Sequence, residues 1–468
     1  MPNTSLDLPL PAPTVDAAAL HRAALQVLQR NDLGKITSAA PDLYPHQWSW
    51  DAAFVAIGLA RIDVPRAVTE LRSLLSAQWS TGMLPHIAFR RGGGGDYFPG
   101  PDRWGTDRVA ARPTGVRTSG ICQPPVHAIA LRHVLDRGRA NGGSDQKVAE
   151  TFAGTSFDRW LAWHRWLARV RDPDGVGLIE IHHGWESGMD NSPRWDGPYA
   201  HVVPGALEPF ERRDVRHVGS PAERPSDAEY RRYLWLVQQL RDVGFDDDRA
   251  RAVVDFRVRD VLFSAVLATA SDVLAGIGDE LGKVAEAAEL RALAARFRAG
   301  VAATVDPGTG LARDVDVRTG GWIAPLTVAG FAPLVAGGDP ELLARQRELL
   351  LGPQWMGHPA LRYALPPSTS PLSPAFRPRT YWRGPVWPVF NLLLGWAAGR
   401  DGAVELDTRL RTESLRQLSD LSFGEYYEPF TGEPLGSRDQ AWTAAAALEW
   451  LARGEDEFGA DGGVPRLR

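Results

Sequence analysis

The segment VAETFAGTSFDRWLAWHRWLARV, residues 148–170, decides the fold class of this chain. Its apolar residues recur at intervals of three and four positions, which is typical of an amphipathic α-helix. A short turn, RDPDG at 171–175, follows it directly. Similar helical patterns occur at about 15–31, 50–62, 64–77, 125–139, 227–243, 258–277, 279–299, 326–335, 339–350, 386–399, 404–421 and 438–453. Few alternating strand patterns lie between them, so the sequence predicts an all-α protein.

The connections between these helices are of two kinds, some short and some long. The long ones lie at 32–49, 78–123, 178–225 and 354–385, and they are rich in Gly, Pro, Trp, Tyr, His and Arg. Long connections inside a compact domain are usually functional or disordered. Helical hairpins with long loops gathered at one end indicate a closed ring of helix pairs, an (α/α) toroid. A plain α-helical bundle is the alternative that periodicity leaves open.

Composition and charge narrow the function classes. Of the 468 residues, 44% are hydrophobic and 23% charged, and the net charge is −5, which is ordinary for a globular enzyme and unlike a basic nucleic-acid-binding protein. No apolar run approaches the ~18 residues of a membrane-spanning helix, so we expect no contact with a membrane. The sequence carries no heptad pattern from which to predict an oligomeric state.

Cys122 is the only cysteine, so neither an intramolecular disulfide nor a zinc cluster of thiolates can form. The first residues, MPNTSLDLPLPAPTV, lack the basic region and apolar core of a signal peptide. We therefore expect a cytoplasmic protein. No linker divides the chain, which predicts one domain over 1–468, with a Pro-rich leader at about 1–14 and loop insertions at about 78–123 and 178–225.

The stretch GWESGMDNSPRWD at 184–196 combines three carboxylates, two indoles and an arginine with turn-forming residues. It lacks the apolar periodicity of a core element. An indole beside a carboxylate suits a sugar, because the ring covers the C–H face while the carboxylate accepts hydroxyl hydrogens. This stretch suggests a glycosidase in which Asp190 is one of two carboxylates.

Glycoside hydrolysis needs a second carboxylate. The best candidate segment is FGEYYEPFTGEPLG at 423–436, which is aromatic and turn-rich. Spacing cannot rank Glu425, Glu428 and Glu433, and a solvated turn with surface acids is the alternative. Two further clusters are YPHQWSWD at 44–51, whose Asp51 could instead cap a helix, and YWRGPVW at 381–387, whose rings could instead pack the loops.

A metal site is not favoured by the sequence. His182 and His183 could join His46 or His86 around a metal, but no His-x-x-x-His pair or clustered cysteines support this. Gly92–95 is not a phosphate loop, because no Gly-Lys-Ser/Thr follows. We expect no metal and no cofactor.

With these segments in order, the chain resembles glycoside hydrolase family 63, in the part of that family that hydrolyses mannosylglycerate and glucosylglycerate. The resemblance rests on YPHQWSWDAAF at 44–54, STGMLPH at 80–86, DYFPGP at 96–101, TSGICQPP at 118–125, GWESGMDNSPRWD at 184–196, YWRGPVW at 381–387 and EYYEPFTGEPLG at 425–436. It implies an (α/α)6 barrel and an inverting mechanism. It further implies that Asp190 is the general acid and Glu425 the general base.

The resemblance also implies the residues that bind substrate. Trp185 is expected to raise the pKa of Asp190 by desolvation. The sugar subsite is expected to consist of Tyr44, Trp48, Trp50 and Asp51, with Trp382 and Trp387 facing them. The residues matching a glycerate subsite are Tyr97, Gln123, Arg224, Tyr230, Tyr381 and Gln440.

Arg224 is the informative residue of this second group, since a guanidinium suits a carboxylate. Its segment, 221–232, is charged, so a solvated loop is the alternative. The Gly-rich insertion before Tyr97 departs from the family and predicts a mobile lid there.

The leading hypothesis is an inverting α-glycosidase that acts on a small substrate, glucosylglycerate or mannosylglycerate. The runner-up is an α-glucosidase acting on neutral α-glucosides or disaccharides. A sugar epimerase, a lyase or a glycan-binding protein with an (α/α) barrel would belong to other classes, and two distant acid-bearing loops favour hydrolysis over these. The choice between glucose and mannose stays open, because the two sugars differ only at the 2-hydroxyl.

Overall fold

The computed structural model describes residues 15–90, 97–216 and 218–458. The predicted leader at 1–14 and the glycine run at 92–95, with the lid inferred from it, lie outside these residues. Tyr97 lies inside them.

The described residues form sixteen α-helices. Every segment predicted as helical contains one of them. Their bounds are α1 Ala17–Asn31, α2 Ser49–Ala60, α3 Val64–Ser76, α4 Pro101–Trp104, α5 His127–Asn141, α6 Gly143–Val170, α7 Asp196–Ala200, α8 Asp227–Asp242, α9 Asp247–Val253, α10 Val261–Glu280, α11 Val284–Ala303, α12 Ala332–Ala336, α13 Pro340–Leu351, α14 Pro388–Arg400, α15 Val404–Gln417 and α16 Ala441–Phe458.

Six helices form a closed inner ring. Helix α2 packs against α5, α5 against α10, α10 against α12, α12 against α14, α14 against α16, and α16 against α2 again. Each inner helix also packs against one outer helix, in the pairs α2–α3, α5–α6, α10–α11, α12–α13, α14–α15 and α16–α1. This is an (α/α)6 barrel, as predicted, and the plain bundle is excluded.

The connections place all the long loops at one end of the ring. Each inner helix from α2 to α14 leads into its outer partner through a short turn, such as Gly142 between α5 and α6. The return from an outer helix to the next inner helix is long. The inner helices therefore all begin at the same end, and the long loops gather there.

The loops contain short strands that the sequence did not predict. Strands of two or three residues are too short to display alternation. Three of them form an antiparallel sheet in the order β1-β2-β3, three more form one in the order β4-β5-β6, and the last two form a hairpin. Their bounds are β1 Gln47–Trp48, β2 Ile87–Phe89, β3 Arg117–Thr118, β4 Ile179–Ile181, β5 Val258–Asp260, β6 Val315–Asp316, β7 Tyr426–Tyr427 and β8 Pro434–Leu435.

Some predicted helix starts are displaced for local reasons. The helix predicted at 258–277 begins at Val261, because β5 precedes it and Asp260 caps it by accepting a hydrogen bond from the Phe263 N–H at 2.9 Å. The helix predicted at 279–299 begins at Val284, because α10 continues to Glu280. The helix predicted at 326–335 is a 3₁₀ segment, Val328–Phe331, followed by α12.

Helix α10 is, among the described helices, the one long and apolar enough by length and composition to cross a membrane. It packs between α5 and α12 in the inner ring, and 83% of its most apolar window is buried there. Its composition is what an inner helix needs. Buried apolar side chains from Leu20 in α1 to Trp450 in α16 form one contiguous cluster.

Candidate active site

A cavity of about 440 Å³ lies at the loop end of the ring, where the inner helices begin. All the predicted site residues except Trp382 and Trp387 line it. They are Tyr44, Trp48, Trp50, Asp51, Tyr97, Gln123, Trp185, Asp190, Arg224, Tyr230, Tyr381, Glu425 and Gln440. The residues come from loops far apart in the sequence, and the closed ring brings those loops to one place.

Glu425 lies at the cavity wall just before β7 and receives hydrogen bonds on both oxygens. The hydroxyls of Tyr44 and Tyr381 donate to Oε1 at 3.0 and 3.1 Å, and the Ser437 N–H donates to Oε2 at 3.1 Å. Burial raises the pKa of Glu425 above its ordinary value, while the Arg224 charge and these donors oppose the rise. Three donors favour the ionised form of this carboxylate.

The turn opposite Glu425 requires glycine. Gly436 has a φ of +70°, and a Cβ at this position would stand 2.6 Å from Glu425 Oε2. A side chain here would therefore push the carboxylate out of place.

The structure separates the three acids that spacing could not rank. Glu428 is buried but turns away from the cavity, and its Oε2 accepts hydrogen bonds from the N–H groups of Phe430 and Thr431 at 2.8 and 2.5 Å. Glu433 lies at the surface and pairs with Arg379. Of the three, Glu425 alone lines the cavity.

Asp190 faces the same cavity from the loop between two 3₁₀ segments, Gly184–Ser187 and Pro193–Trp195. Burial raises its pKa, the Arg224 charge lowers it and the Glu425 charge raises it, with a net rise to about 7. Its carboxylate receives no hydrogen bond from another described residue. Its surroundings therefore favour the protonated form, without the three donors that oppose protonation of Glu425.

The loop that carries Asp190 is anchored on one side by a buried ion pair. Glu186 accepts hydrogen bonds from Arg171 Nη1 and Nη2 at 2.9 and 2.8 Å and from the His182 N–H at 2.7 Å. Burial opposes the charge on Glu186, but the Arg171 charge outweighs it and lowers the pKa of Glu186 to about 2. Arg171 also pairs with Asp247 at 2.8 Å. Glu186 thus holds the loop that carries Asp190 in place.

The other end of the same loop is anchored to α10 and to the segment before α14. Arg194 Nη1 donates to both oxygens of Asp314 at 3.1 Å, and Asp314 in turn accepts from the N–H of Val261, the first residue of α10. Asn191 Oδ1 accepts from the Trp382 N–H at 3.1 Å. Asp190 therefore lies on a loop fixed from both sides.

The predicted sugar subsite forms one wall of the cavity. Trp48 and Tyr44 meet edge to face with ring centroids 5.2 Å apart. Trp50 and Asp51 begin α2, and Asp51 is buried beside the two other carboxyls. Burial, then the charges of Glu425 and Asp190, raise the pKa of Asp51 well above its ordinary value. A protonated or shared-proton carboxyl here could donate to or accept from a sugar hydroxyl.

Trp382 and Trp387 do not face this wall, and that prediction was wrong. Both indoles are about 1% exposed and stack on each other at 3.7 Å. Trp387 Nε1 donates to the Tyr381 carbonyl at 3.3 Å. The pair packs behind the cavity, because two large apolar rings bury more of their surface there than they would in the cavity wall. From this position the pair supports Tyr381, which does face the cavity.

Arg224 is buried in the cavity wall rather than solvated, with 8% of its side chain exposed. Its Nη1 donates to the Tyr44 hydroxyl at 2.9 Å, and its guanidinium lies 4.5 Å from the Tyr381 ring centroid. Asp214 accepts from Arg224 Nε at 3.4 Å and from Arg212 Nη2 at 2.7 Å. The positive charge of Arg224 is thus held close to Glu425 and Asp190.

The remaining predicted residues also line the cavity, two of them in contact with the tryptophans of the sugar subsite. Tyr97 meets Trp48 edge to face at 5.2 Å, and the Tyr230 hydroxyl donates to the Phe98 carbonyl at 3.0 Å. Gln123 Oε1 accepts from the Trp50 N–H at 3.3 Å. Gln440 is fully buried, and its Nε2 has no hydrogen-bond partner among the described residues.

Several cavity residues were missed by sequence reasoning. Trp442 follows Gln440 in the first turn of α16, and His86 ends the quoted STGMLPH motif, so the signals for both were present. Asp214 lies in the charged stretch ERRDVR and carried no local signal. The residues not predicted include His86, Arg90, Phe98, Asp214, Tyr233 and Trp442. Within the described ranges, no group of three or more His, Cys, Asp or Glu side chains is arranged to hold a metal ion.

This chain is similar to a known protein family, to relatives of named activity and to a solved structure. The family model described as the mannosylglycerate hydrolase MGH1-like glycoside hydrolase domain matches residues 44–443. A glucosylglycerate hydrolase from Mycolicibacterium hassiacum is 54% identical over 94% of this chain and 99% of the relative. A mannosylglycerate hydrolase from Thermus thermophilus is 41% identical over 91% of this chain and 99% of the relative. The crystal structure of a GH63 mannosylglycerate hydrolase from Thermus thermophilus, in complex with Tris and D-glycerate, aligns with a TM-score of 0.84 and 40% identity over 92% of this chain and 99% of the other.

The anchoring of the loop that carries Asp190 can be tested by Glu186→Gln. This change leaves the buried Arg171 without its bidentate partner, so we expect the free energy of unfolding to fall by about 3 kcal/mol. The matched control is Glu289→Gln, which removes an exposed bidentate pair with Arg165 and should cost less than about 1 kcal/mol. Urea denaturation followed by circular dichroism measures both. Equal losses in the two variants would contradict the anchoring role.

Proposed function

Because this chain belongs to glycoside hydrolase family 63, among the MGH1-like hydrolases, we propose that it hydrolyses glucosylglycerate or mannosylglycerate with inversion of the anomeric configuration. The products are a hexose and glycerate. Glucosylglycerate is the first substrate to test, since the relative that is 54% identical is a glucosylglycerate hydrolase. Family membership makes the chain a glycoside hydrolase, which displaces the epimerase, lyase and glycan-receptor alternatives.

One observation carries the proposal: Asp190, Glu425 and Arg224 line a single cavity. Two carboxyls in different surroundings, Asp190 with a pKa raised to about 7 and Glu425 held by three hydrogen-bond donors, supply an acid and a base. A buried guanidinium beside them supplies the partner that a carboxylate-bearing leaving group needs. A neutral α-glucoside would offer this guanidinium no carboxylate, so its charge would be balanced only by carboxylates of the protein such as Asp214.

In the proposed reaction, Asp190 donates its proton to the glycosidic oxygen as the bond to the anomeric carbon breaks. Glu425 accepts a proton from the water that attacks the opposite face of the sugar. The hydroxyls of Tyr44 and Tyr381 and the Ser437 N–H keep Glu425 ionised and fix its orientation. After one turnover Asp190 is ionised and Glu425 protonated, and exchange with solvent restores both.

The two ends of the substrate are assigned to two groups of cavity residues. The tryptophans Trp48 and Trp50 cover the sugar face, and Asp51 binds a sugar hydroxyl. Arg224 binds the glycerate carboxylate, and the unpartnered Gln440 Nε2 and the Tyr97 and Tyr230 rings complete its pocket. We also propose a cytoplasmic location, which the single cysteine, buried and unpaired, supports.

The stereochemistry of the reaction is a direct test. Incubation with α-linked glucosylglycerate, followed by proton NMR of the sugar released in the first minutes, should show the β-anomer before mutarotation. Parallel incubations with mannosylglycerate and α-linked disaccharides define the substrate. Release of the α-anomer would contradict inversion, and faster hydrolysis of disaccharides than of glycosylglycerates would favour the neutral α-glucosidase.

The pH dependence of kcat/KM should reflect Asp190, whose pKa is raised to about 7. Activity needs this carboxyl protonated, so it should fall as pH rises through about 7. Since the Arg224 charge lowers the pKa of Asp190, Arg224→Gln should move the alkaline limb to higher pH. Arg224→Lys keeps the charge and should leave the limb in place. A limb that stays fixed in Arg224→Gln would contradict Asp190 as the acid.

Asp214 is expected to position Arg224 for the leaving group. Asp214→Asn should raise KM for glycosylglycerates several-fold, because a neutral amide holds the guanidinium less firmly, while kcat changes little. The matched control is Asp227→Asn, since Asp227 also pairs with Arg212 but is 89% exposed and does not touch Arg224. Steady-state kinetics on glucosylglycerate measure both. If kcat of Asp214→Asn fell by the same factor by which KM rose, the change would indicate a structural defect instead.

A further inference from the structure

A second cavity, of about 450 Å³, lies at the opposite end of the ring. It is lined by the last turns of α2, α5 and α14 and by the middle of α16. The active-site cavity is lined by residues at or before the start of these same helices, such as Asp51, Gln123, Tyr381 and Trp442. Because the inner helices run in the same direction, the two cavities lie at opposite ends of the barrel.

Apolar side chains fill the barrel between the two cavities. Phe54 from α2 and Leu393 from α14 are buried at the axis, and Ile129 from α5 lies beside them. The spaces left around them enclose only about 10 Å³ each. A small molecule cannot pass between the ends, so the second cavity is a separate compartment.

The surface of this second cavity is positively charged. Four arginines, Arg61, Arg137, Arg400 and Arg453, and one histidine, His133, line it, against two acids, Asp136 and Glu449. Most of the carboxylates that partner these arginines lie outside the lining. Asp407 pairs with Arg453 at 3.2 Å, and Asp272 pairs with Arg400 at 3.4 Å. Glu449, inside the lining, is buried and accepts from Arg61 Nε at 2.7 Å.

Arg137 differs from the other three arginines. Among the described residues its side chain has neither a carboxylate partner nor a hydrogen bond, and its Nε is buried without a partner. Cations near helix C-termini are favoured by the helix dipole, which accounts for a basic residue in the last turns of α5. It does not account for a buried guanidinium nitrogen left without an acceptor, which costs free energy.

An apolar wall stands beside this cation. Trp396 contacts the cavity with its half-buried indole, and His133 lies with its ring centroid 6.4 Å from that indole. Ile57, Ala60 and Ala140 complete the wall. The volume is in the range of small-molecule sites.

We propose that this second cavity binds a small organic anion, whose carboxylate or phosphate pairs with Arg137 and whose carbon part lies against Trp396. The site is distinct from the hydrolytic centre and requires no chemistry. The anion pairs with the Arg137 guanidinium, which has no carboxylate partner among the described residues, and the indole excludes water from one side of the pair, which strengthens the interaction.

The test is isothermal titration calorimetry with two probes, inorganic phosphate and benzoate. Both are titrated into the Arg224→Gln protein, so that the cation of the active site does not contribute. Binding is expected, and Arg137→Gln in the same background should weaken it at least tenfold. The matched control is Arg139→Gln, because Arg139 lies on the same helix turn but is exposed and pairs with Glu150 and Glu280 outside the cavity. It should bind as the parent does.

The two probes distinguish the sources of the anion. Phosphate binding alone indicates a phosphate ester, and benzoate binding alone indicates a carboxylate with an apolar group. If neither probe binds, or if Arg137→Gln and Arg139→Gln bind equally, the proposal is overturned. Ala140→Glu, which places a negative charge at the cavity wall, should abolish binding as well and serves as a second variant if Arg137→Gln does not fold.

Activity separates this proposal from the proposed function. In a buffer without phosphate or carboxylates, Arg137→Gln should hydrolyse glucosylglycerate at the rate of the unmodified protein. The calorimetry therefore tests the second site, and the anomer released from the substrate tests the hydrolytic proposal.

Discussion

The packing of α16 against α2 closes the ring, and the active site depends on it. A Cβ at Gly58 in α2 would stand 2.3 Å from Ala445 Cα in α16, so the two helices approach as closely as backbones can. Glu425 and Gln440 lie on the segment that leads into α16, while Tyr44 lies on the segment that leads into α2 and Asp51 lies in the first turn of α2. If this contact loosened, Glu425 would separate from Tyr44 and Asp51, although each segment would keep its own local structure.

Electrostatics then divides the roles of the two carboxyls that the ring brings together. Both are removed from bulk water, which raises the pKa of each. Glu425 is compensated by three donors, whereas Asp190 receives none from another described residue, and its pKa is raised to about 7. The loop around Asp190 is held by charges that do not face the cavity, Glu186 with Arg171 and Arg194 with Asp314. The fold can therefore keep one carboxyl poorly compensated because its neighbours in the sequence are well anchored.

Much of this architecture could be predicted from periodicity and motifs. Long helices such as α6 and α10 carry a strong repeating signal, and the alternation of short and long connections pointed to the ring. Strands of two or three residues carry no such signal. The motif YWRGPVW identified an aromatic cluster, but sequence cannot tell which rings face a cavity: Tyr381 lines it, whereas Trp382 and Trp387 stack behind it. Asp214 was missed because its relation to Arg224 exists only in three dimensions. The choice among Glu425, Glu428 and Glu433 needed either the family resemblance or the cavity.

The arrangement of helix pairs also has a consequence for how the chain folds. Five of the pairs join neighbours in sequence through short turns, while the pair α1–α16 joins the two ends of the described chain. Local pairs lose little loop entropy on forming, whereas the last contact must close a very long loop. We expect the pairs to form early and the α1–α16–α2 contacts late. The loop that carries Asp190 would then form before Glu425 reaches its place in the cavity. The appearance of hydrolytic activity during refolding would therefore report the closure of the ring.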